Sequence, residues 1–459
     1  MRLINVFLVA ALAGCAAQPK YERPAVELPA AWKQTAPRYA EDGRWWRIYQ
    51  DAELEKTVDE ALAGNADLLI AAARVDEARA VLREAQSFFY PRIDAEGSAA
   101  RQQISQRTAT APPGIPRRFS TYRGALELSY EADLFGRLRS GAQAARAELE
   151  ANEAAREAVR LALAAEVATA YFALRALDEQ VDLTRRTLKV REDALRLQRR
   201  RREAGVIGDF DLRQLEAEVA AARAQLPPLE REREAVEAAL GVLLGRTPKR
   251  VFEGAVEIKQ AFEEVPQPPA VPSGLPSELL LRRPDLVEAE RRLAAANARV
   301  AVARAEMFPS IALTAALGSE SAALSNLFSG PAIVWTLAAA VTQPIFAGGR
   351  LQARSEAAQA RERAALAQYQ QAIRGAFGEV RTALAAQTRA RESYDAETER
   401  ANALAETLRL ARLRYDQGVA SQLDVLDAER GLLAARIARI EALRAHRAAV
   451  ADLFRALGG

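Results

Sequence analysis

Hydrophobic positions along the chain follow two periods, and the places where one gives way to the other divide it. From Ser140 to Ala204 there is no proline and, apart from Gly141, no glycine. Val159, Leu163, Val167, Ala170, Leu174, Leu177, Val181 and Leu188 advance by threes, fours and a seven, the seam of a coiled-coil-like helix. At about 1.5 Å per residue such a run reaches on the order of 100 Å, well beyond a globular helix. A second run, from Leu351 to Gln417, carries Leu366, Tyr369, Ile373, Phe377, Val380 and Leu384 on its seam. Elsewhere the period drops to two. Across Tyr122 to Phe135, Leu126, Leu128 and Tyr130 fall on one face and Glu127, Ser129 and Glu131 on the other. A wholly apolar face opposite carboxylates is what a lipid-facing, water-lined barrel strand requires. An amphipathic strand packed on a soluble core shows the same alternation, so this hairpin alone does not decide. Partner strands are expected from Arg92 to about Arg101, and at Ser310–Gly318 and Val334–Gln343.

The punctuation of these elements repeats. A helical stretch from Asp51 to Phe89 breaks near Gly64-Asn65 and stops at Tyr90-Pro91. Gly205 and Gly208 end the first long helix at a hairpin tip. The returning helix runs from Asp209 to Leu226, where Pro227-Pro228 is expected to interrupt it, and a shorter segment continues to Leu244-Gly245. After a Pro- and Gly-rich linker, 246–277, the order recurs. Phe308-Pro309 answers Tyr90-Pro91 with a shift of 218, Gly418 answers Gly205 and Asp424 answers Asp211 with a shift of 213, and Leu457-Gly458 answers Leu244-Gly245. The chain therefore divides into 51–245 (β-hairpin about 91–133, helical hairpin 140–245) and 278–459 (β-hairpin about 309–343, helical hairpin 351–457). Before them lies an arm, 15–50, with Pro19, Pro24, Pro29 and Pro37 and with Trp32, Trp45 and Trp46. It is expected to be extended against a protein surface or near the lipid interface.

Composition narrows the function classes. Half the residues are apolar but only 6% are aromatic, the mixture of closely packed long helices. Lys+Arg 64 against Asp+Glu 61 leaves a net charge of +3, and the one dense basic cluster, Arg199–Arg202, sits at a helix end where cations oppose the dipole. That argues against a nucleic-acid partner. One Cys and one His make neither a disulfide nor a Cys/His metal or catalytic site, and no cofactor is implied. His446 lies in a charged helical stretch and reads as solvated; no nucleophile motif or phosphate loop accompanies it, so an enzyme is not expected. The single Cys ends Leu12-Ala13-Gly14-Cys15, after a basic start and a short apolar run. This resembles a bacterial lipobox, which implies that 1–14 is a lipoprotein signal peptide and that Cys15 is lipidated. Ala16, in place of the Asp associated with inner-membrane retention, favours the outer membrane.

Tyr415-x-x-Gly-x-x-Ser-x-Leu-Asp-Val-Leu-Asp-Ala-Glu-Arg430 is similar to the hairpin-tip motif of the TolC/OprM outer-membrane factor family. So are Phe308-Pro-Ser-Ile-x-Leu-Thr314 and Pro344-Ile-Phe-x-Gly-Gly-Arg350. The lipobox, Leu28-Pro-Ala-Ala-Trp32 and the stretch from Trp45 through Ala78 resemble its lipoprotein (NodT-like) branch. The resemblance implies a mainly α protein with membrane β: a homotrimer whose four strands per chain close a 12-stranded β-barrel, continued by an α-helical barrel. It implies the exit duct of a tripartite efflux or type I-like secretion system, in the outer membrane, with a periplasmic adaptor and an inner-membrane pump of the RND, MFS or ABC class. By position Asp424 and Asp427 match paired aspartates at the family's closed periplasmic entrance. Tyr415 matches a tyrosine tying the inner hairpin to the outer one, and Asp211 its acidic partner.

Ala420 stands where some members have an arginine, so that bond of the lock is missing or comes from another residue. Ser421-x-x-Asp424 is also a capping box, and Asp427 lies in the first turns, so both carboxylates have a purely helical role available. The rival reading of the whole chain is a periplasmic coiled-coil lipoprotein tethered to the outer membrane without channel activity, which leaves the duplicated β-hairpins without a purpose. The cargo is not readable. Replacement of Cys15 by serine is expected to abolish incorporation of labelled palmitate; continued labelling would show that Cys15 is not the acylated residue.

Overall fold

The computed structural model describes residues 22–24, 43–105, 117–254, 262–267 and 282–459. Eight α-helices are described: α1 Ala52–Gly64, α2 Ala66–Ser87, α3 Arg137–Glu203, α4 Asp209–Leu243, α5 Pro248–Glu253, α6 Pro284–Ala305, α7 Arg350–Asp416 and α8 Gln422–Leu457. The strands are β1 Arg92–Gln103, β2 Arg118–Ala132, β3 Ser310–Ser321 and β4 Ile333–Thr342. Helices α3 and α7 are each 67 residues long. The masses of contact fall into two compact units.

The first unit combines Met1–Ala25, Arg74–Glu153 and Glu288–Gln370. It holds one antiparallel sheet in the order β1-β2-β3-β4. Paired residues share a face, so the register extends the alternation seen in β2 to all four strands. Ile93 lies opposite Leu128, Leu126 opposite Leu317, and Leu317 opposite Trp335. With Leu313, Leu337 and Val341 they form one apolar face that remains exposed on the chain. The other face carries Asp94, Glu96, Glu127, Glu131 and Glu320. Strands β2 and β3 approach so closely that a Cβ on Gly318 would lie 2.3 Å from the Gly124 carbonyl oxygen. Where strand meets helix, Phe135 and Phe308 stack at 5.0 Å. On the helical side many of the buried residues are small, Ala142, Ala147 and Ala151 of α3 and Ala295, Ala296 and Val300 of α6, beside the larger Leu138 and Leu293. Arg23 of the N-terminal arm grips the buried Glu290 with two hydrogen bonds, at 2.8 and 2.5 Å.

The second unit combines Val26–Ala73, Ala154–Val287 and Gln371–Gly459. Its centre is polar as well as apolar. Asp51 caps α1 by accepting from the amides of Glu53 and Leu54, and its other oxygen accepts from the Tyr171 hydroxyl and from Arg175 at 2.9 and 2.8 Å. Both partners of this ion pair are shut off from solvent, so each depends on the other. Arg447 is equally buried. It donates to the carbonyls of Phe262 and Val265 and lies 4.5 Å from the centre of the Phe262 ring, which pins a short turn of the linker. Burial pushes its guanidinium down to about 10. The arm ends here too: Trp45–Tyr49 is a buried 3₁₀ turn, with Trp45 stacked 5.2 Å from Phe454 and the Tyr49 hydroxyl donating to the Arg447 carbonyl at 2.7 Å. Of the expected extended arm, this described part is helical and its tryptophans face protein.

The duplication holds at atomic detail. The Asn65 side chain donates to the Leu243 carbonyl at 2.9 Å, and Arg283, its counterpart, donates to the Ala456 carbonyl at 3.0 Å. Gly245, at φ 67°, touches the Gly64 backbone so closely that a Cβ would fall 2.0 Å from its oxygen; Gly458, at φ 92°, meets Arg282 and Arg283 in the same way. Along α7 the buried positions Tyr369, Ile373, Ala376, Val380, Ala383 and Gln387 keep a four-three step, with Phe377 and Leu384 at the flank of this seam.

Two expectations are corrected. Helix α4 does not stop at Pro227-Pro228. Both prolines lie on its exposed side, where water takes the place of the missing amide donors, while buried Leu215, Val219 and Ala222 before them and Leu240 after them hold the axis. His446 is not solvated but buried, at 2% exposure. Burial first, then Arg391 and Arg447, push its imidazole below the usual value of 6.5, against the pull of Asp395. The unfolded chain thus binds a proton that the native chain resists, so stability is complete above about pH 6.5 and falls as pH drops from there toward the native pKa. A His446→Gln variant is expected to show a smaller loss of melting temperature between pH 7 and pH 5 than the parent; an unchanged slope would remove His446 as its source.

Candidate functional site at the two hairpin tips

The turn between α3 and α4 and the turn between α7 and α8 are built alike. The Gly205 amide donates to the Arg202 carbonyl at 3.0 Å and the Val206 amide to Arg201 at 2.8 Å. The Gly418 amide donates to Tyr415 and the Val419 amide to Arg414, both at 2.9 Å. These are Schellman closures, and they need a left-handed residue: Gly205 sits at φ 72° and Gly418 at φ 74°. Gly208 has another role. At φ −81° it is the N-cap of α4 and carries no side chain to cap with.

At the second tip that cap is complete. The Ser421 hydroxyl and amide both donate to Asp424 Oδ2 at 2.8 Å, and the Asp424 amide donates back to the Ser421 hydroxyl at 3.3 Å. The bond from the Ser421 hydroxyl, then that from its amide, hold the Asp424 carboxyl below the usual range. Asp427, one turn on, is exposed and accepts from Arg430 at 3.0 Å. Arg430 also faces Glu218 of α4 at 3.7 Å, and Glu218 lies 3.3 Å from the buried Arg191 of α3. Arg202 and Asp209 pair across the first tip at 2.6 Å. Most of these groups are exposed, so each pair adds little stability by itself.

The two tips touch within the chain. Leu426 of α8 enters a cluster of Leu195, Leu215 and Val219, with Leu188 and Leu212 packed against it. Gln198 donates to the Gln422 side chain at 3.2 Å. Tyr415 and Asp211 are both half-buried, and within one chain no hydrogen bond is formed between them. Sequence reasoning missed a matched pair of apolar positions. Val206 and Phe210 on the first tip are 67% and 77% exposed, and Val419 and Leu423 on the second are 62% and 48% exposed. Each pair is related by the same shift of 213 that relates Gly205 to Gly418, so applying the repeat to every apolar tip residue would have found them. Cys15 lies outside the described residues. Among the described residues no group of three or more His, Cys, Asp or Glu is placed to hold a metal ion.

An exposed apolar sheet face opposite carboxylates, in a chain whose strands run directly into long helical hairpins, defines a subunit of an outer-membrane channel. The chain belongs to the outer membrane efflux protein family, whose model matches residues 57–246 and 275–459, one stretch in each half. It is 35% identical to the toluene efflux pump outer membrane protein TtgC of Pseudomonas putida, over 98% of this chain and 93% of TtgC. It is 33% identical to the cation efflux system protein CusC of Escherichia coli, over 100% of this chain and 98% of CusC. Among solved structures, the open state of the Neisseria gonorrhoeae MtrE outer membrane channel matches with a TM-score of 0.85 at 34% identity, over 97% of this chain and 98% of that one. The channel-free lipoprotein spacer is thereby set aside.

The repeat also supplies a test of the cap. At Gly208 an added Cβ meets nothing closer than Asp211 Oδ2 at 4.0 Å. Gly208→Ser is expected to install with Asp211 the capping box that Ser421 forms with Asp424, raising stability by roughly a few tenths of a kcal/mol. A lower melting temperature would mean that the two tips are not interchangeable at this position.

Proposed function

We propose that three copies of this chain close one twelve-stranded barrel in the outer membrane and form the exit duct of a tripartite efflux system. The observation that carries this is the sheet: four strands, one exposed apolar face, and edges at β1 and β4 left unpaired among the described residues. In hydrocarbon each unpaired backbone group costs several kcal/mol, so such a sheet must be closed by further copies. Two copies would give about eight strands, whose interior is filled by side chains; three leave a passage. Lipidation at Cys15 would add an anchor to the same membrane. Relatives named for toluene and for a cation match at 35% and 33% identity, which supports a duct that leaves the choice of cargo to its pump.

The hairpin tips are the proposed periplasmic entrance. Exposed Val206, Phe210, Val419 and Leu423 give a repeated apolar rim suited to a periplasmic adaptor, which in turn joins the duct to an inner-membrane pump. On a threefold axis Asp424 and Asp427 become six carboxylates around the opening, a ring that favours cations and repels itself when narrow. Asp427 is already held by Arg430, which also faces Glu218, so closure is proposed to run through that network rather than through an arginine at 420. Tyr415 and Asp211, unbonded within a chain, are left to meet partners in neighbouring copies. In planar bilayers the purified protein is expected to conduct with cation preference, and Asp424→Ala/Asp427→Ala to conduct more and lose that preference. Unchanged current and selectivity in the double variant would overturn the gate, and absence of any conductance in the parent would overturn the duct.

A further inference from the structure

The two faces of the sheet differ in the sign and placement of charge. The face bearing Asp94, Glu96, Glu127, Glu131 and Glu320 also holds Arg92 and Arg123. The apolar face, taken over all four strands, holds only two charged residues, Arg101 and Arg118. Both stand at the end of the sheet remote from the strand–helix junctions, Arg101 one step and Arg118 two steps beyond Tyr122 along that face. Along β2 that face reads Ala132, Tyr130, Leu128, Leu126, Gly124, Tyr122, Ser120 and Arg118; along β1 it reads Ile93, Ala95, Gly97, Ala99, Arg101 and Gln103. An apolar band, an aromatic residue and then arginine is the order in which a barrel wall passes from hydrocarbon to headgroups.

We propose that Arg101 and Arg118 form a binding site for the phosphate of an anionic outer-leaflet lipid. Arg101 pairs with Ser120 and Gln103 with Arg118, which places the two guanidinium groups as diagonal neighbours, about 7–8 Å apart at the backbone. Both residues are exposed. Arg118 uses its Nε to donate to Gln103 Oε1 at 2.7 Å, which fixes the fork and leaves its terminal nitrogens directed elsewhere. Two like charges at this spacing, with no carboxylate on their face, repel unless an anion bridges them, and a phosphate accepts from both forks. The surroundings are those of a lipid. The β3–β4 connection lies at the same end of the sheet and exposes Leu324 and Phe328, the latter at 91%. Arg101 lies on the edge strand, so in the closed barrel the site would sit beside the seam with the next copy.

This inference rests on the sheet facing lipid, and its test keeps that reading separate. The purified full chain is incubated with bisphosphorylated lipid A, with phosphatidylglycerol or with phosphatidylcholine, and retained lipid is counted by native mass spectrometry. The parent is expected to retain lipid A about tenfold over phosphatidylcholine, the size of one charge-assisted contact, and Arg101→Gln/Arg118→Gln to fall to the phosphatidylcholine level. Arg92→Gln/Arg123→Gln, on the opposite face, should keep the parent's preference. The site is overturned if the Arg101/Arg118 variant keeps that preference, if the parent shows none, or if inorganic phosphate at the lipid's concentration displaces it, which would indicate a free-anion site. Conductance of the Arg101/Arg118 variant in bilayers is expected to match the parent; absence of conductance in the parent, with the parent's lipid preference intact, would count against the channel reading and leave the lipid site standing.

Discussion

A peptide group in hydrocarbon has no water to bond, and that requirement governs how this chain must be used. Among the described residues of one copy the sheet satisfies β2 and β3 on both sides but β1 and β4 on only one. Its apolar face, from Ile93 to Trp335, is equally unfinished: among the described residues most of it is left exposed. Both deficits point to surroundings the chain does not itself supply, lipid on the face and more strands at the edges. The helices carry a related deficit. The seam of α7 is one residue wide over much of its length, which suits packing along neighbours better than burial in a globular core.

The second unit shows how two copies of one plan are locked together. Asn65 and Arg283 do the same work at equivalent positions with different chemistry, an amide in one half and a guanidinium in the other. Gly245 and Gly458 allow the same close backbone approach. What breaks the symmetry is the material outside the repeat. The linker turn at Phe262–Val265 and the arm turn at Trp45–Tyr49 are both held by contacts with Arg447. Arg447 has carbonyl oxygens and ring faces around it, whereas Arg175 has the Asp51 carboxylate. A buried arginine with no described ion pair of its own is tolerated because several oriented dipoles replace its hydration.

At the hairpin tips the sequence carried more than expected in one respect and less in another. The turn glycines were legible because a left-handed closure selects glycine so strongly, and the Ser421/Asp424 box because capping is a local event. Gly208 reads in the sequence as part of the turn, yet its backbone is ordinary and it caps a helix. The links from Asp427 through Arg430 to Glu218 and Arg191 join residues more than two hundred positions apart, and no local pattern announces them. His446 and Pro227-Pro228 escape a local reading for the same reason. Whether a histidine is buried, or a proline faces water, depends on which neighbour covers that side of the helix.

The sequence by itself determined the periods, the punctuation and the repeat, and with them the four strands, the paired 67-residue helices and the family. These follow from local physics: alternation for a sheet face, three-four spacing for a helix seam, glycine and proline at the ends. Only the tertiary structure decided the strand order, the register that separates Arg101 and Arg118 from every acid of the sheet, and the burial of Asp51, Arg175, His446 and Arg447. A buried charge is stable only where a partner from a distant segment meets it, and that meeting is fixed by how the segments pack.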